Sequence, residues 1–327
     1  MARCALLPSR ADPITLRLVY HLFETVWQDE VDKLYLNVNS LIEPEVINFI
    51  KSFASNPKVV FSYTDHSADH GNSITKMFNE SSEDLIVLIE DDSFIYGKEM
   101  LDKYFRMIEV NAVDACGSLR WSCTGGLIDR ARQYFDLWDE KYLVGGWFWP
   151  CFFFAKRSDL LKTDLDFRGK GWQAGEHISP LQWTPGEEER GDTMVWMSMQ
   201  LRALKLRFHE FPNPGDIGNP NYQWTHTGSL SSFIESELTD NDEVPLAIRK
   251  RPARYSINTV LQGEKSEVER KFGWMTLALK RFEKEFDEID EFRNLYKKGM
   301  DKYVAKFGLN QPTIEGLANA YQTVLGI

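Results

Sequence analysis

Along the first hundred residues, short apolar runs alternate with amphipathic stretches of helical period. Residues 5–7 form a short apolar run that predicts a strand, followed by a loop at Pro8, Ser9 and Arg10. Asp12 stands as an N-cap ahead of Pro13 at the first helical position. Leu18, Val19, Leu22, Phe23, Val26 and Trp27 then recur at helical spacing. Residues 31–38 alternate like a strand and run into Asn39 and Ser40, and a helix from Pro44 stops at Asn56-Pro57. A strand at 59–63, a short helix at 72–80 and the run LIVLI at 85–89 complete the series. LIVLI is apolar on both faces, as a strand inside a parallel sheet must be. Repeated β-α-β units of this kind predict an open α/β sheet.

The middle of the chain changes character. Residues 121–190 are rich in Trp, Gly and Phe, with the aromatic block GGWFWPCFFF at 145–154. The stretch 168–190 is polar and without clear period, which predicts a long loop suited to act as a lid. A helix at 194–204 and a strand at 206–211 follow, and from about Ser266 the pattern is helical to the end. Trp274, Ala278, Phe282, Phe286, Ile289 and Phe292 mark one apolar face of that tail. The expected organisation is a sheet domain over 1–230 and a mainly helical extension over 231–327.

Composition narrows the classes. The 327 residues carry 38 basic and 49 acidic side chains, a net charge of −11, with 43% hydrophobic residues. Enough apolar material is present for a sizeable core. The acidity disfavours a nucleic acid partner, since such proteins carry basic surfaces, but it is compatible with an anionic substrate bridged by a metal. Cys4, Cys116, Cys123 and Cys151 lack the spacing of a zinc knuckle and are too few for a disulfide framework. Reduced, buried thiols and a cytoplasmic setting are expected. The longest greasy stretch, 143–155, is too short to span a bilayer.

Ligands of open α/β sheets bind at the carboxyl ends of the strands. Glu90-Asp91-Asp92 lies there, directly after LIVLI. Three adjacent acids repel one another unless a cation or hydrogen-bond donors neutralise them. Oxygen ligands of this kind suit Mg2+ or Mn2+. From the triplet alone, a cation site and a plain helix cap are both consistent.

Several ordered pieces between residues 4 and 230 resemble the GT-A glycosyltransferases, in particular their inverting family-2 group. Pro8-Ser9-Arg10 is similar to that family's nucleotide loop, and LYLNVNS (34–40) to its second strand, with Asn39 at the donor-facing end. The segment 59–92, containing Asp65 and Gly71, is similar to its stretch from third strand to metal motif. The triplet is EDD where the family has Asp-x-Asp, a variant found in inverting N-acetylglucosaminyltransferases. The segment 145–167 resembles the part that frames donor sugar and acceptor, and Trp147 is its candidate sugar contact. The segment 191–212 resembles the family's Glu-Asp-opened helix, with Gly191 in place of the Glu and Asp192 retained. His226 follows Asp192 by 34 residues, where the family often has a metal-ligand His.

The resemblance implies a GT-A fold, a Rossmann-like open mixed sheet, and transfer of a sugar from a nucleotide-diphosphate donor to an acceptor hydroxyl. It implies Mn2+ or Mg2+ on Asp92 and His226, and donor contacts from Pro8, Ser9, Arg10, Asn39, Asp65, Gly71, Glu90, Asp91 and Trp147. Asp192 would be the base, a carboxylate expected at a helix N-terminus that stabilises its ionised form. The acceptor is left open among glycan, lipid, protein and modified base. A retaining enzyme of the same fold and a non-catalytic carbohydrate-binding protein are the competing readings. A nucleotidyltransferase is disfavoured because the first loop lacks that class's glycine-rich, basic character. The dense basic group Arg249, Lys250, Arg251 and Arg254 is the one segment suited to an anionic acceptor or the donor diphosphate.

Overall fold

A computed structural model describes residues 1–9, 12–39, 44–64, 70–120, 122–135, 146–210, 223–227 and 264–327. Arg10, Asp65 and the basic group at 249–254 lie outside the described residues.

Strands β1 (Arg3–Ser9), β2 (Lys33–Asn39), β3 (Val59–Thr64) and β4 (Leu85–Ile89) alternate with helices α1 (Pro13–Leu22), α2 (Pro44–Phe53) and α3 (His70–Glu80). β5 (Ser93–Ile95), α4 (Lys98–Glu109), β6 (Ala115–Arg120), α5 (Gly125–Tyr134), β7 (Trp147–Lys156) and the single turn α6 (Arg157–Leu160) come next. They lead into β8 (Lys170–Trp172), β9 (Glu189–Gly191), α7 (Val195–Ala203), β10 (Phe208–Glu210) and β11 (Trp224–His226). The chain closes with α8 (Lys265–Arg281), α9 (Asp290–Lys306) and α10 (Gln311–Leu325).

Seven strands form one open sheet in the order β10-β6-β7-β4-β1-β2-β3. β1 pairs in parallel with both β2 and β4, whereas β7 is antiparallel to β4 and β6 on either side of it. This is the open mixed α/β sheet with following helices that the sequence predicts. Strand residues alternate between its faces, as a period of two requires. Ala5, Leu7, Leu34, Leu36, Val87 and Ile89 pack under α1, α2 and α4. Cys4, Leu6, Tyr35, Ile86 and Leu88 face α3 and α7.

Local signals explain the helix starts. Asp12 accepts from the Ile14 and Thr15 amides at 2.9 and 3.2 Å, and Pro13 fills the first position, where its missing N–H costs nothing. β1 runs through Pro8 and Ser9, expected as loop, because the ladder to β2 continues there, Pro8 against Asn37 and Ser9 against Val38. The stretch 168–190, expected as a long loop, is folded. β8 pairs with β9, and Trp172, Ile178 and Leu181 are buried in a small cluster with Trp147 and Met199. Its elements are too short to carry a period.

The C-terminal helices share the main core with the sheet, through Val268, Phe272, Trp274, Met275, Phe286, Tyr303 and Tyr321. Trp274 is sandwiched between Phe94 of β5, at 4.4 Å between ring centroids, and Tyr321 of α10, also at 4.4 Å. The Arg17 guanidinium on α1 lies 4.3 Å above the Phe282 ring and reaches Glu285 at 2.6 Å. Among the described residues, no helix is long and apolar enough to cross a membrane.

Truncating Trp274, which is 2% exposed, removes two stacked ring contacts at once. Trp274→Ala is expected to lower unfolding free energy by about 3–5 kcal/mol, measured by urea unfolding of the full chain.

Candidate functional site

β1 sends its connections to β2 on one side while β4 lies on the other, so the carboxyl ends of β1 and β4 flank a topological switch point. Ser9 ends β1, and Glu90-Asp91-Asp92 follows β4 as a tight turn closed by the Ser93 amide on the Glu90 carbonyl at 3.1 Å. The Ser9 hydroxyl donates to Asp91 Oδ2 at 2.9 Å. Two residues expected at the donor therefore meet across the switch point. Asn39 ends the neighbouring β2, 4% exposed, and its Oδ1 accepts no hydrogen bond from the described residues. A buried acceptor left unsatisfied is costly unless a ligand or water completes it.

β11 returns antiparallel to β5 and sets His226 opposite Ser93. Thr227 secures that return by donating both its amide and its hydroxyl to the Asp92 carbonyl at 3.1 Å. His226 Nε2 then lies 3.0 Å from Glu90 Oε2 and 3.0 Å from Asp92 Oδ1. Burial opposes a charge on this imidazole, but the two carboxylates outweigh it and push its pKa up to about 10. A proton is thus held where two acids and a ring nitrogen converge. That donor set, hard oxygens with one imidazole, fits Mn2+ or Mg2+ in place of the proton. Asp92 and His226, expected as ligands, stand together, and Glu90 joins them.

Further groups stand near the turn, of which Cys151 is one that the sequence does not announce. Continuing the β4–β7 register past Ile89–Phe152 sets Cys151 beside Glu90, and ligand atoms of Glu90, Cys151 and His226 lie within 4.8 Å of one another. Burial, then Glu90 and Asp92, raise the Cys151 thiol pKa well above its ordinary value, so it stays neutral near pH 7. His70, at the start of α3, approaches Glu90 Oε1 with its Nδ1 at 3.9 Å. Asp12 is raised to about 6, by burial first, against its bonds from Thr15 and Ile14, with the Asp92 charge adding to the rise.

Trp147 must be reassigned. It is 1% exposed, packed with Leu127, Ala131 and Trp172, and its Nε1 donates to Cys123 Sγ at 3.0 Å. Gly146 beside it serves packing, because a Cβ there would stand 2.9 Å from the Arg120 backbone. Trp149 is the tryptophan at the site. Its ring meets the His226 ring edge-on at 4.3 Å and carries the Arg120 guanidinium 4.8 Å above it. Gly71 also has a packing reason: a Cβ would fall 2.4 Å from the backbone of Arg168.

Asp192 lies on the same sheet edge, its amide bonded to the Ser122 carbonyl just beyond β6 at 2.9 Å. It is exposed and does not cap α7. Met194 holds the cap position in the left-handed region at φ 73°, and Asp192 Oδ1 accepts instead from the Thr193 amide at 2.8 Å. The left-handed residue turns the chain before the helix begins, and no side chain caps the first turn. Pro8, one residue before Ser9, is buried within β1.

No protein-family model and no curated relative matches the chain. Similar solved structures include S. aureus TarS 1-349, at 10% identity over 99% of this chain and 92% of that one, with a TM-score of 0.42. The mannosyltransferase PcManGT from Pyrobaculum calidifontis, in complex with GDP-Man and Mn2+, is 8% identical over 99% of this chain and 85% of that one, with a TM-score of 0.42. Glucosyl-3-phosphoglycerate synthase from Mycobacterium tuberculosis, in complex with Mn2+ and UDP-Glc, is 13% identical over 50% and 58%, with a TM-score of 0.33.

Two measurements check this geometry. Because His226 has its pKa raised on folding, its stabilisation is present below the ordinary histidine value and lost as pH rises toward about 10. In EDTA the melting temperature of the chain is expected to fall over that interval, and less steeply in His226→Gln. Gly71→Ala is expected to cost about 1–3 kcal/mol in urea unfolding, since the clash is with backbone that cannot rotate away.

Proposed function

We propose that the chain is a metal-dependent glycosyltransferase that moves a sugar from a nucleotide-diphosphate donor to an acceptor hydroxyl, with inversion. The observation that carries this reading is the convergence of Ser9, Glu90, Asp91, Asp92 and His226 at the switch point of an open α/β sheet. Asp92 and His226, with Glu90 beside them, would hold Mn2+ or Mg2+. When bound, the ion supplies positive charge against the negative charge that develops on the leaving diphosphate.

The remaining steps belong to the protein's own side chains. The neutral ring nitrogen of His226, between Glu90 and Asp92, would be one of the groups that hold the ion. Ser9 and Asp91, fixed to each other, together with Asn39 at the end of β2, orient the nucleoside. Trp149, edge-on to His226, walls the side of the site where a donor sugar would lie. Asp192, exposed on the same edge, accepts the proton of the acceptor hydroxyl as that oxygen attacks the anomeric carbon from the face opposite the diphosphate. One displacement then makes the new glycosidic bond and breaks the old one, which inverts the anomeric configuration.

Residues 1–230 form the donor-handling unit in this reading, and residues 231–327 extend it. Four free cysteines suit a reducing, cytoplasmic setting. A hydroxyl on a glycan, lipid, protein or modified base satisfies the chemistry as acceptor.

A panel of labelled nucleotide sugars with Mn2+ tests the class, and proton NMR of the product anomer tests inversion. Asp92→Ala is expected to abolish Mn2+-dependent turnover of the donor; full turnover would remove it from the metal site. Asp192→Asn is expected to lose transfer by about 10²–10⁴-fold while donor affinity stays unchanged, and an unaltered transfer rate would end its assignment as base.

A further inference from the structure

One ligand-bearing side chain at the acidic turn is neither an oxygen nor a nitrogen donor. Cys151 is fully buried on β7, and ligand atoms of Cys151, Glu90 and His226 all lie within 4.8 Å of one another. The three come from separate parts of the fold: β7, the turn after β4, and β11. Ser93 ties them together. Its amide closes the turn on the Glu90 carbonyl at 3.1 Å, and its hydroxyl donates to the Cys151 carbonyl at 3.2 Å. It also stands opposite His226 in the ladder between β5 and β11. The β4–β7 register, whose last pair is Ile89 with Phe152, fixes Cys151 a second time. Ligands of a tetrahedral zinc ion, about 2.3 Å away for sulfur and about 2.0–2.2 Å for nitrogen or oxygen, keep roughly 3.3–3.6 Å from one another. The separations here, from 3.0 Å between His226 and Glu90 to 4.8 Å at most, bracket that spacing.

A buried cysteine often serves only as a small apolar filler. Among the described residues, however, this is the one group of three His, Cys, Asp or Glu side chains close enough to share an ion. Sulfur changes what such a group selects. Carboxylate oxygens suit Mg2+ and Mn2+, while a thiolate favours Zn2+ and other soft ions. Mg2+ keeps to oxygen ligands, so beside it the thiol is only a neighbour. A soft ion takes up the sulfur, and a thiol that coordinates loses its proton outright. We infer that Cys151 is a metal ligand of this site, with Glu90 and His226, and that it gives the site a preference for thiophilic divalent ions such as Zn2+ over Mg2+. Asp92, 3.0 Å from His226 Nε2, stays at hand to complete the set. This rests on the metal-dependent part of the proposed function and narrows the ion that would serve it.

Zn2+ binds most sites more tightly than Mn2+ whatever the ligands, so the change on substitution carries the test. The metal-free full chain, titrated with Co2+, is expected to develop a thiolate-to-metal charge-transfer band that Cys151→Ser and Cys151→Ala both lack. Serine keeps the shape of the side chain, and alanine leaves no buried hydroxyl should the first variant fail to fold. Zn2+ affinity, read by competition with a chromophoric chelator, is expected to fall about tenfold or more in either variant. Mg2+ affinity, read by calorimetry, is expected to change by less than roughly twofold. A band that persists in the variants, or equal losses for Zn2+ and Mg2+, would overturn the assignment, the second by showing a packing role. If neither variant folds, the Co2+ spectrum of the unaltered chain decides, because among the described residues no other cysteine lies with two further ligand groups. If the unaltered chain binds none of Zn2+, Co2+, Mn2+ and Mg2+, the metal-dependent reading fails and the role of Cys151 fails with it. If it binds Co2+ without the charge-transfer band, only the role of Cys151 is lost.

Discussion

Three consecutive acids at the end of a buried strand are the constraint around which this molecule is arranged. β4 is apolar throughout, so Glu90, Asp91 and Asp92 emerge from the core into a turn where Asp91 and Asp92 are 6% and 4% exposed. Uncompensated, such a cluster would not fold. Each part of it is met by a group delivered from elsewhere in the chain: Ser9 on Asp91, His226 between Glu90 and Asp92, and Thr227 on the Asp92 carbonyl. His226 thereby shares its proton with oxygens of both Glu90 and Asp92.

The layers behind the turn fix its geometry. β5 continues directly from the acids and is held from two sides, by β11 through the sheet ladder and by Trp274 through ring stacking. β7, antiparallel in a sheet otherwise parallel, runs its first residues past the end of β4 and so carries Trp149 and Cys151 to the site. α3 opens beside Glu90 and is pressed so closely against the 167–168 backbone that only Gly71 fits. The helical extension belongs to this support, because its apolar face completes the core under β1 and α1.

Much of this could be read in advance where the signal is local. Asp12-Pro13 marks the start of α1, LIVLI marks a strand buried on both faces, and EDD marks the end where charge gathers. Signals failed where distant packing decides. Beside its glycines Trp147 reads as a sugar contact, yet Gly146 serves the Arg120 backbone and Trp147 is sealed under α5. Asp192 reads as the residue at a helix terminus, but a left-handed Met194 turns the chain first, a conformation that no residue type at that position announces. In the stretch 168–190, strands of three residues leave no period to detect.

By itself, the sequence determined the open α/β sheet, the helical tail, and the identity of the acids and histidine that gather at its carboxyl edge, because periodicity and residue chemistry are local properties. Only the tertiary structure decided which partners those acids have. Ser9, 82 residues from Asp91, and His226, 136 residues from Glu90, meet them through strand order and a ladder between β5 and β11. Cys151 arrives by the register of an antiparallel pair. Each of these depends on which surfaces can be packed and buried together, and that is a property of the whole chain.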